Sequence, residues 1–481
     1  MFASNISGRT NLWKVAVAGG WPVQLIQSDE RQANASWSPD GKWIAYQQDF
    51  GGNELWDIFA VPSDGGEAID LTQTPDIREE LPRWSPDGKT IALNYKPKES
   101  STYDLALLDF ASRKVHKLTH EASTSHGWTS VAWSPDGKTL YANRSRLNLM
   151  DVDVYAVAVA SGSNVNLTPH SGDIIYAASS LSPDGKTLLI TSNELGGNSN
   201  VALLDVATRK RTWVTSTHWE AESGEFSPTG KSFTYTLNVD GLTDAYLVDV
   251  ATLHGEKLAL DAGLNGTAGY PTAFSPSGDR LLLSHQSSVK PKDLWVYETG
   301  SHEGRPLSRS AIASLSSAPM PESQIVHYRA FDGKIISALI WVPFNLRRDS
   351  AGPALVVPHG GPAGQIQDRW NPLVAALVSR GYVVIAPNVG GSTGYGIDFQ
   401  RANYQDLGGG DRQDSGCMGS RRGRIWHHQL DDDAATRGPV LAAIREKPSR
   451  RSGQGQGRLR CGFTNHLYSR GESTAAGAAG G

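Results

Sequence analysis

One serine of this chain stands in the sequence pattern of a nucleophile. Gly390-Gly391-Ser392-Thr393-Gly394 fits Gly-x-Ser-x-Gly and follows an apolar run. In serine hydrolases this pattern makes a sharp turn from a strand into a helix, which exposes the hydroxyl for attack on an acyl carbon. The residues that follow do not favour a helix, because Gly394 and Gly396 interrupt them. We therefore predict that Ser392 only imitates a nucleophile.

A second group of candidates lies in residues 415–481 and could be proposed as metal ligands: His427, His428, Asp431, Asp432 and Asp433. That segment is rich in Arg, Gly, Ser and Ala and shows no sustained apolar periodicity. Such a composition offers too little apolar surface to offset the entropy of ordering. We predict a disordered or out-of-frame tail there, and we predict no metal and no cofactor for the chain.

Composition excludes several classes of function. The net charge of −4 gives no electrostatic reason for a nucleic-acid partner, and the short basic cluster at 421–424 is weak evidence for one. No run of about 18 apolar residues occurs, so we predict no membrane partner. The first residues resemble no secretory signal, which leaves the compartment undetermined between cytoplasm and periplasm. The two cysteines, Cys417 and Cys461, both lie in the tail, so no disulfide framework is expected before it.

The elements around Ser392 are predicted to form a strand–helix–strand unit. An apolar strand at 354–357 runs into His359, Gly360 and Gly361. Asn371-Pro372 then predicts a helix start, because Asn caps free N–H groups and Pro suits the first helical turn. A second strand at 383–386 completes a right-handed parallel crossover. We expect this second strand to be an exposed sheet edge.

Before residue 310 the dominant feature is a repeat. Ser-Pro-Asp-Gly-Lys occurs four times and is followed by two weaker copies; the six turns start at Ser38, Ser85, Ser134, Ser182, Ser227 and Ser275. Pro, Asp and Gly suit successive positions of a tight hairpin turn. Short apolar strands flank each copy, and several repeats close with Leu-Thr. One four-stranded sheet per repeat is typical of a β-propeller, whereas a β-sandwich does not repeat one turn at fixed spacing.

A seventh copy is only partly visible. Asn11-Leu-Trp-Lys-Val15 matches the strand that lies 15 to 20 residues after each turn, but no turn precedes it. We therefore predict an all-β propeller of seven blades, with the first incomplete because sequence before it is missing. A partial α/β-hydrolase domain is predicted to follow the propeller.

The combination of the two halves resembles the prolyl oligopeptidase family of serine peptidases. The matching features are the Ser-Pro-Asp-Gly propeller, the strand that ends in His359-Gly360-Gly361-Pro362, and the later Gly391-Ser392-Thr393-Gly394-Tyr395-Gly396. The acylaminoacyl-peptidase and dipeptidyl-peptidase-like branches are the most similar, and the propeller also resembles the TolB type. The resemblance covers roughly residues 1–414.

The resemblance implies roles for specific residues. His359, Gly360 and Gly361 match the family's oxyanion region, where a turn without side chains lets backbone N–H groups approach a developing oxyanion. Ser392 matches a serine upstream of the family's nucleophile, a second reason to reject it. The family's arginine falls on Gly390. No Gly-x-Ser-x-Gly pattern lies beyond Asp414, so no catalytic serine, aspartate or histidine can be named.

The predicted domains are a propeller at 1–310, a linker at 311–325, the first part of the hydrolase domain at 326–414 and the tail at 415–481.

The resemblance implies hydrolysis of short peptides behind a propeller gate, by a serine-type mechanism that this copy is predicted to have lost. A non-enzymatic TolB-like binding module and an esterase are the alternatives. Glu79-Glu80 and Glu220 with Glu222 could recognise a peptide amine, although solvated loops are the simpler interpretation.

Overall fold

The computed structural model describes residues 1–267, 273–310, 320–330, 332–346, 352–360 and 363–403. The chain divides into two units. The first comprises residues 1–346 and 353–409 and contains every element named below. The second comprises residues 347–352 and 410–481 and, apart from Gly352, lies outside the described residues, as does the whole predicted tail.

The first 310 residues form a series of small antiparallel sheets, which we number as blades. Blade 1 contains three strands, β1 (Phe2–Ser4), β2 (Asn11–Lys14) and β3 (Val23–Gln24). Blade 2 contains β4 (Gln32–Trp37), β5 (Trp43–Gln48), β6 (Asp57–Pro62) and β7 (Ile69–Asp70). Blade 3 contains β8 (Ile77–Trp84), β9 (Thr90–Pro97), β10 (Asp104–Asp109) and β11 (Val115–Lys117).

The remaining blades repeat this pattern. Blade 4 contains β12 (His126–Trp133), β13 (Thr139–Arg146), β14 (Val152–Ala158) and β15 (Asn164–Asn166). Blade 5 contains β16 (Tyr176–Leu181), β17 (Thr187–Ser192), β18 (Asn200–Asp205) and β19 (Arg211–Trp213). Blade 6 contains β20 (Glu220–Phe226), β21 (Ser232–Val239), β22 (Leu242–Asp249) and β23 (Gly255–Lys257). Blade 7 contains β24 (Leu264–Thr267), β25 (Arg280–Ser287), β26 (Lys290–Glu298) and β27 (Glu303–Pro306).

The seven-bladed propeller with an incomplete first blade is confirmed. Blades 6 and 7 share a single parallel pair, Thr243 with Leu264, while each of the other sheets is separate. Blade 1 has one strand fewer than the others, and no described strand pairs with the free side of β1. No helix occurs between residues 30 and 300 in the described part of the chain.

Apolar side chains between neighbouring blades hold the ring together. Between blades 2 and 3, for example, Ile58 and Leu71 pack against Ile91 and Leu108. Similar clusters join every consecutive pair of blades from 1 to 7. Blades 7 and 1 are connected by the Arg305 guanidinium, which donates to the Val17 carbonyl at 2.6 Å. Burial of apolar surface between blades is the expected source of stability for such a ring.

The repeated turn is stabilised by its own serine and aspartate. In blade 3, Ser85 Oγ donates to Asp87 Oδ1 at 2.7 Å and accepts from the Thr90 N–H at 3.0 Å. Asp87 Oδ1 also accepts from the Lys89 N–H at 3.1 Å. The hydrogen bond from Ser85, followed by that from Lys89, lowers the pKa of Asp87 below its usual range. Each of the six turns connects the first two strands of its blade, as predicted.

The Leu-Thr sequences have a structural reason that the sequence did not reveal. In blade 3, Thr119 Oγ1 accepts from the Leu105 N–H at 2.9 Å and donates to Asp104 Oδ1 at 3.1 Å. The threonine thus fastens the outer strand of its blade to the start of the third strand. The same hydroxyl-to-N–H contact recurs at Thr72, Thr168, Thr215 and Ser308.

A second, smaller sheet follows the propeller. It contains β28 (Gln324–Arg329), β29 (Ile335–Trp341), β30 (Ala354–Val356) and β31 (Val383–Asn388), in the spatial order β28-β29-β31-β30. Helix α1 (Pro372–Ser379) connects β30 to the parallel strand β31, and the short helix α2 (Ile397–Gln400) and a 3₁₀ turn (Arg401–Asn403) follow. Asn371 caps α1 by accepting from the Leu373 and Val374 N–H groups, as predicted.

The prediction that the strand near 383–386 is an exposed edge was wrong. β31 lies between β29 and β30, and all six of its residues are buried. The outer position belongs to β30, where Leu355 is 36% exposed and Val356 43% exposed. After the crossover, β31 lies between β30 and β29. In this position its side chains pack in the same apolar cluster as Leu339 and Trp341 of β29. The predicted boundaries at 310, 325 and 414 stay predictions; β27 ends at Pro306 and β28 begins at Gln324.

Candidate active site and propeller interface

The loop after β30 carries the predicted oxyanion residues. His359 and Gly360 are described, whereas Gly361 lies outside the described residues. Gly360 is exposed, and none of the described residues accepts a hydrogen bond from its N–H. The loop is tightly folded, since a Cβ on Gly364 would lie 2.6 Å from the Gly360 carbonyl oxygen. An exposed N–H without an acceptor is the kind of group that can stabilise an oxyanion.

Ser392 lies next to His359, across 33 residues of sequence. Ser392 Oγ is 2.8 Å from His359 Nε2 and 2.7 Å from the Val389 carbonyl oxygen. His359 Nδ1 is 3.0 Å from the Gly360 carbonyl oxygen. The Ser392 hydroxyl has one proton, which it donates to the Val389 carbonyl oxygen. In that arrangement the hydroxyl offers His359 Nε2 only a lone pair and does not give it a proton.

Burial also separates Ser392 from any substrate in this conformation. Its exposed fraction is zero, and α2 begins only at Ile397, five residues later. A nucleophile at an elbow is exposed directly before its helix. These contacts agree with the interpretation that Ser392 only imitates a nucleophile, which stays a prediction.

A cavity of about 400 Å³ lies where blades 5 and 6 meet the loops of the smaller sheet. Amide and charged side chains line it, among them Asn193, Glu222, Asn238, Gln365 and Arg369. None of the described residues donates a hydrogen bond to the Glu222 carboxylate, which faces the cavity. Glu222 is exposed to solvent within the cavity, yet the protein atoms around the cavity, followed by the charge of Glu220, raise the pKa of Glu222.

The two glutamate pairs noted in the sequence have different surroundings, and none of the four lies on a solvated loop. Glu220 and Glu222 both lie on β20. Glu220 accepts from the Gly396 N–H at 2.7 Å and from the Ser199 N–H at 2.8 Å, so it connects blade 6 to the smaller sheet. Glu79 and Glu80 lie on β8 instead, and neither lines the cavity. Side chains alternate between the two faces of a strand, so the sequence could have predicted that Glu220 and Glu222 lie on one face. It could not have predicted that a cavity lies beside them.

Two family models match parts of the chain. One, described as the TolB beta propeller domain, matches residues 76–223, and another, described as the Prolyl oligopeptidase family, matches residues 368–418. The propeller model matches residues within the blades, and the peptidase model matches later residues that begin within the smaller sheet. The chain is thus similar to the prolyl oligopeptidase family in both of its parts. None of the helices in the described ranges is long and apolar enough to cross a membrane.

Several curated relatives of this chain are peptidases by name. It is 23% identical over 418 residues to dipeptidyl aminopeptidase BIII of Pseudoxanthomonas mexicana, covering 84% of this chain and 59% of the relative. It is 24% identical over 306 residues to dipeptidyl-peptidase 5 of Porphyromonas gingivalis, covering 60% of this chain and 43% of the relative. The chain therefore spans about half the length of these two relatives.

Solved structures show the same fold at low sequence identity. A prolyl endopeptidase structure superposes with a TM-score of 0.70 at 15% identity, over 82% of this chain and 60% of that one. A puromycin hydrolase superposes with a TM-score of 0.69 at 19% identity, over 82% of this chain and 65% of that one. At this level of identity the likeness concerns the fold alone.

Proposed function

We propose that this chain is the propeller and the first part of the hydrolase domain of a serine peptidase that acts on short peptides. The observation that carries the proposal is the position of the cavity, which Glu222 of the propeller and Gln365 of the loop after β30 both line. A peptide held there lies against the same loop that contains the Gly360 N–H. The match to the family model and the names of the relatives support the peptide as substrate class.

The chemistry of the cavity favours a free peptide amine. An α-ammonium group supplies the charge and the hydrogen bonds that the Glu222 carboxylate lacks in the described structure. Its volume of about 400 Å³ lies within the range of small-ligand sites. Arg369 and the amides of Asn193 and Asn238 offer groups for the peptide carbonyls. We therefore infer that the amino-terminal end of a short peptide occupies this cavity.

In the proposed reaction of the intact peptidase, a serine attacks the peptide carbonyl, a histidine takes its proton and then gives it to the leaving amine, and an aspartate orients the histidine. Backbone N–H groups, with Gly360 as one donor, stabilise the oxyanion. The described residues contribute the oxyanion donor and the cavity, but no exposed serine–histidine pair. We propose that this chain as it stands binds peptides without hydrolysing them, which also preserves the alternative of a TolB-like binding module.

Calorimetric titration of the full chain with a tripeptide and its N-acetylated form tests the proposal. We expect the free amine to increase affinity about tenfold, which corresponds to about 1.4 kcal/mol. Glu222→Gln should remove that preference. Glu256→Gln, on the outer strand β23 of the same blade, is the matched control and should leave it unchanged. Equal affinity for both peptides, or a preference that survives Glu222→Gln, contradicts the assignment of the cavity.

Hydrolysis is measured separately, with dipeptidyl and N-blocked chromogenic amides and with a small acyl ester. We expect no turnover of any of them by the chain as it stands. Turnover of the ester alone would favour the esterase alternative. Turnover of the amides would show that a catalytic serine exists in the chain.

A further inference from the structure

The hairpin between β21 and β22 of blade 6 reaches into the smaller sheet. Its tip, Asp240 and Gly241, has φ values of +55° and +89°, which turn the chain sharply. The Gly241 carbonyl accepts from the Asp368 N–H at 2.9 Å. A Cβ at Gly241 would lie 3.0 Å from the Ile366 carbonyl oxygen, so only glycine fits this approach comfortably. The tip therefore contacts the loop that follows β30.

Asp240 directs both of its carboxylate oxygens at the smaller sheet. Oδ1 accepts from the Tyr395 hydroxyl at 2.9 Å, and Oδ2 lies 2.7 Å from His327 Nε2. The residue is only 5% exposed. A carboxylate removed from water requires such partners, because an unpaired buried charge is strongly unfavourable.

The contacts continue from Tyr395 to the loop. Asn388 Nδ2 is 2.8 Å from the Tyr395 hydroxyl oxygen and 3.1 Å from the Ile366 carbonyl oxygen. Asn388 Oδ1 accepts from the Ile366 N–H at 2.6 Å. Asn388 is completely buried, so water offers no substitute for these partners. Ile366 is thereby fixed by both of its backbone polar groups.

The hydrogen bonds of this series form one consistent set that begins at the Asp240 carboxylate. An ionised carboxylate only accepts, so the Tyr395 hydroxyl must donate to it. The hydroxyl oxygen can then only accept, and Asn388 must present its NH₂ group to it. The Asn388 carbonyl oxygen faces the Ile366 N–H, which agrees with this orientation of the amide. A residue without the carboxylate removes the acceptor of the tyrosine hydroxyl, and the Asn388 amide then depends on Ile366 alone for its orientation.

We propose that Asp240 of the propeller is a positioning residue for the loop after β30, which carries Gly360. It acts through Tyr395 and Asn388 on Ile366, and the propeller thereby sets the geometry of the loop that contains the oxyanion donor. The inference rests on the proposed function only for the role of Gly360 and not for the hydrogen bonds themselves.

Hydrogen–deuterium exchange of the full chain, followed by mass spectrometry, tests the proposal. The informative fragment covers residues 363–368, which include the Ile366 N–H. We expect Asp240→Ala and Tyr395→Phe to speed exchange in this fragment at least tenfold, while fragments of blades 2 to 4 stay unchanged. Asp240→Asn retains an acceptor for Tyr395 and should restore most of the protection.

Asp244→Ala is the matched control. Asp244 lies on β22, four residues after Asp240, but its carboxylate pairs with Lys257 within the blade at 2.7 Å. It should leave fragment 363–368 as in the unmodified chain. If Asp240→Ala does not fold, Tyr395→Phe decides, because it keeps the ring and removes only the hydroxyl. Unchanged exchange in a folded Asp240→Ala or Tyr395→Phe variant overturns the proposal. The measurement needs no peptide, so its failure and a failure of peptide binding at Glu222 are separate results.

Discussion

Ser392 Oγ lies 2.8 Å from His359 Nε2, at the distance expected of a nucleophile and its base, although the Ser392 side chain is fully buried. Its hydroxyl also lies within hydrogen-bond distance of the Val389 carbonyl oxygen. These contacts connect the turn after β31 to the loop after β30. A serine–histidine distance alone is therefore insufficient evidence for a catalytic pair when the hydroxyl cannot meet a substrate.

The first prediction concerns this pair. A fluorophosphonate probe should not label Ser392, because the hydroxyl is buried and donates to a carbonyl oxygen. Ser392→Ala should lower the free energy of unfolding by about 1–2 kcal/mol, since two buried contacts are lost. Mass spectrometry after labelling and urea unfolding provide the measurements. A covalent adduct on Ser392 would show that the serine is a nucleophile after all.

The second prediction concerns the threonine that closes blade 3. Thr119→Val preserves shape but removes the hydroxyl that serves the Leu105 N–H and Asp104. We expect the free energy of unfolding to fall by about 1–3 kcal/mol, because a buried N–H is left without its acceptor. Thr119→Ser keeps the hydroxyl and is the control. Equal loss in both variants would mean that packing of the methyl group, rather than the hydrogen bonds, matters.

The third prediction concerns pH and Glu225. Burial raises the pKa of Glu225 to about 8, although hydrogen bonds from the Ala273 and Phe274 N–H groups and the charge of Arg83 act in the opposite direction. An unfolded glutamate has a pKa of about 4.3. The folded state therefore holds the proton more tightly, and this contribution to stability is lost as pH rises from about 4.3 to about 8.

Glu225→Gln should consequently be more stable than the unmodified chain at pH 8, by roughly 1–3 kcal/mol, and similar to it at pH 5. Thermal unfolding across this pH range is the measurement. Glu67→Gln, an exposed position in blade 2, should leave the pH dependence unchanged. A Glu225→Gln variant with the same slope as the unmodified chain would contradict the assignment.

The fourth prediction concerns the outer strand of the smaller sheet. β30 exposes Leu355 and Val356, and none of the described strands pairs with its outer side. Unpaired apolar edges favour association between chains, and a lysine opposes it. Val356→Lys should reduce self-association in light scattering at a given concentration. Leu373→Lys changes a 60% exposed leucine on α1 without altering a strand edge. An equal reduction by both variants would mean that the added positive charge, rather than the strand edge, causes the effect.

Much of the propeller could be predicted from the sequence, because its information is local. Ser85, Asp87 and Lys89 form their turn within five residues, so proline, aspartate and glycine at fixed positions specify a hairpin wherever it lies. The spacing between such turns gives the number of blades. The Asn371 cap of α1 is equally local, and it was predicted for the same reason.

The candidate site could be predicted only in part. His359 and Gly360 follow from a motif, but the contact between His359 and Ser392 joins residues 33 positions apart. The contact between Asp240 and Tyr395 joins residues 155 positions apart. The Glu220 and Glu222 side chains were noted, yet no periodicity shows that a cavity lies above them. Such contacts depend on how separate elements pack, and a local pattern carries no information about them.

The sequence by itself determined the type of each blade, the family to which the chain is related and the absence of a second Gly-x-Ser-x-Gly pattern beyond Asp414. Only the tertiary structure decided that β31 is central and β30 outermost, because strand order depends on which buried face each strand finds. It also decided that Asp240 meets Tyr395, since a buried carboxylate must find its partners across the interface, wherever in the sequence they lie.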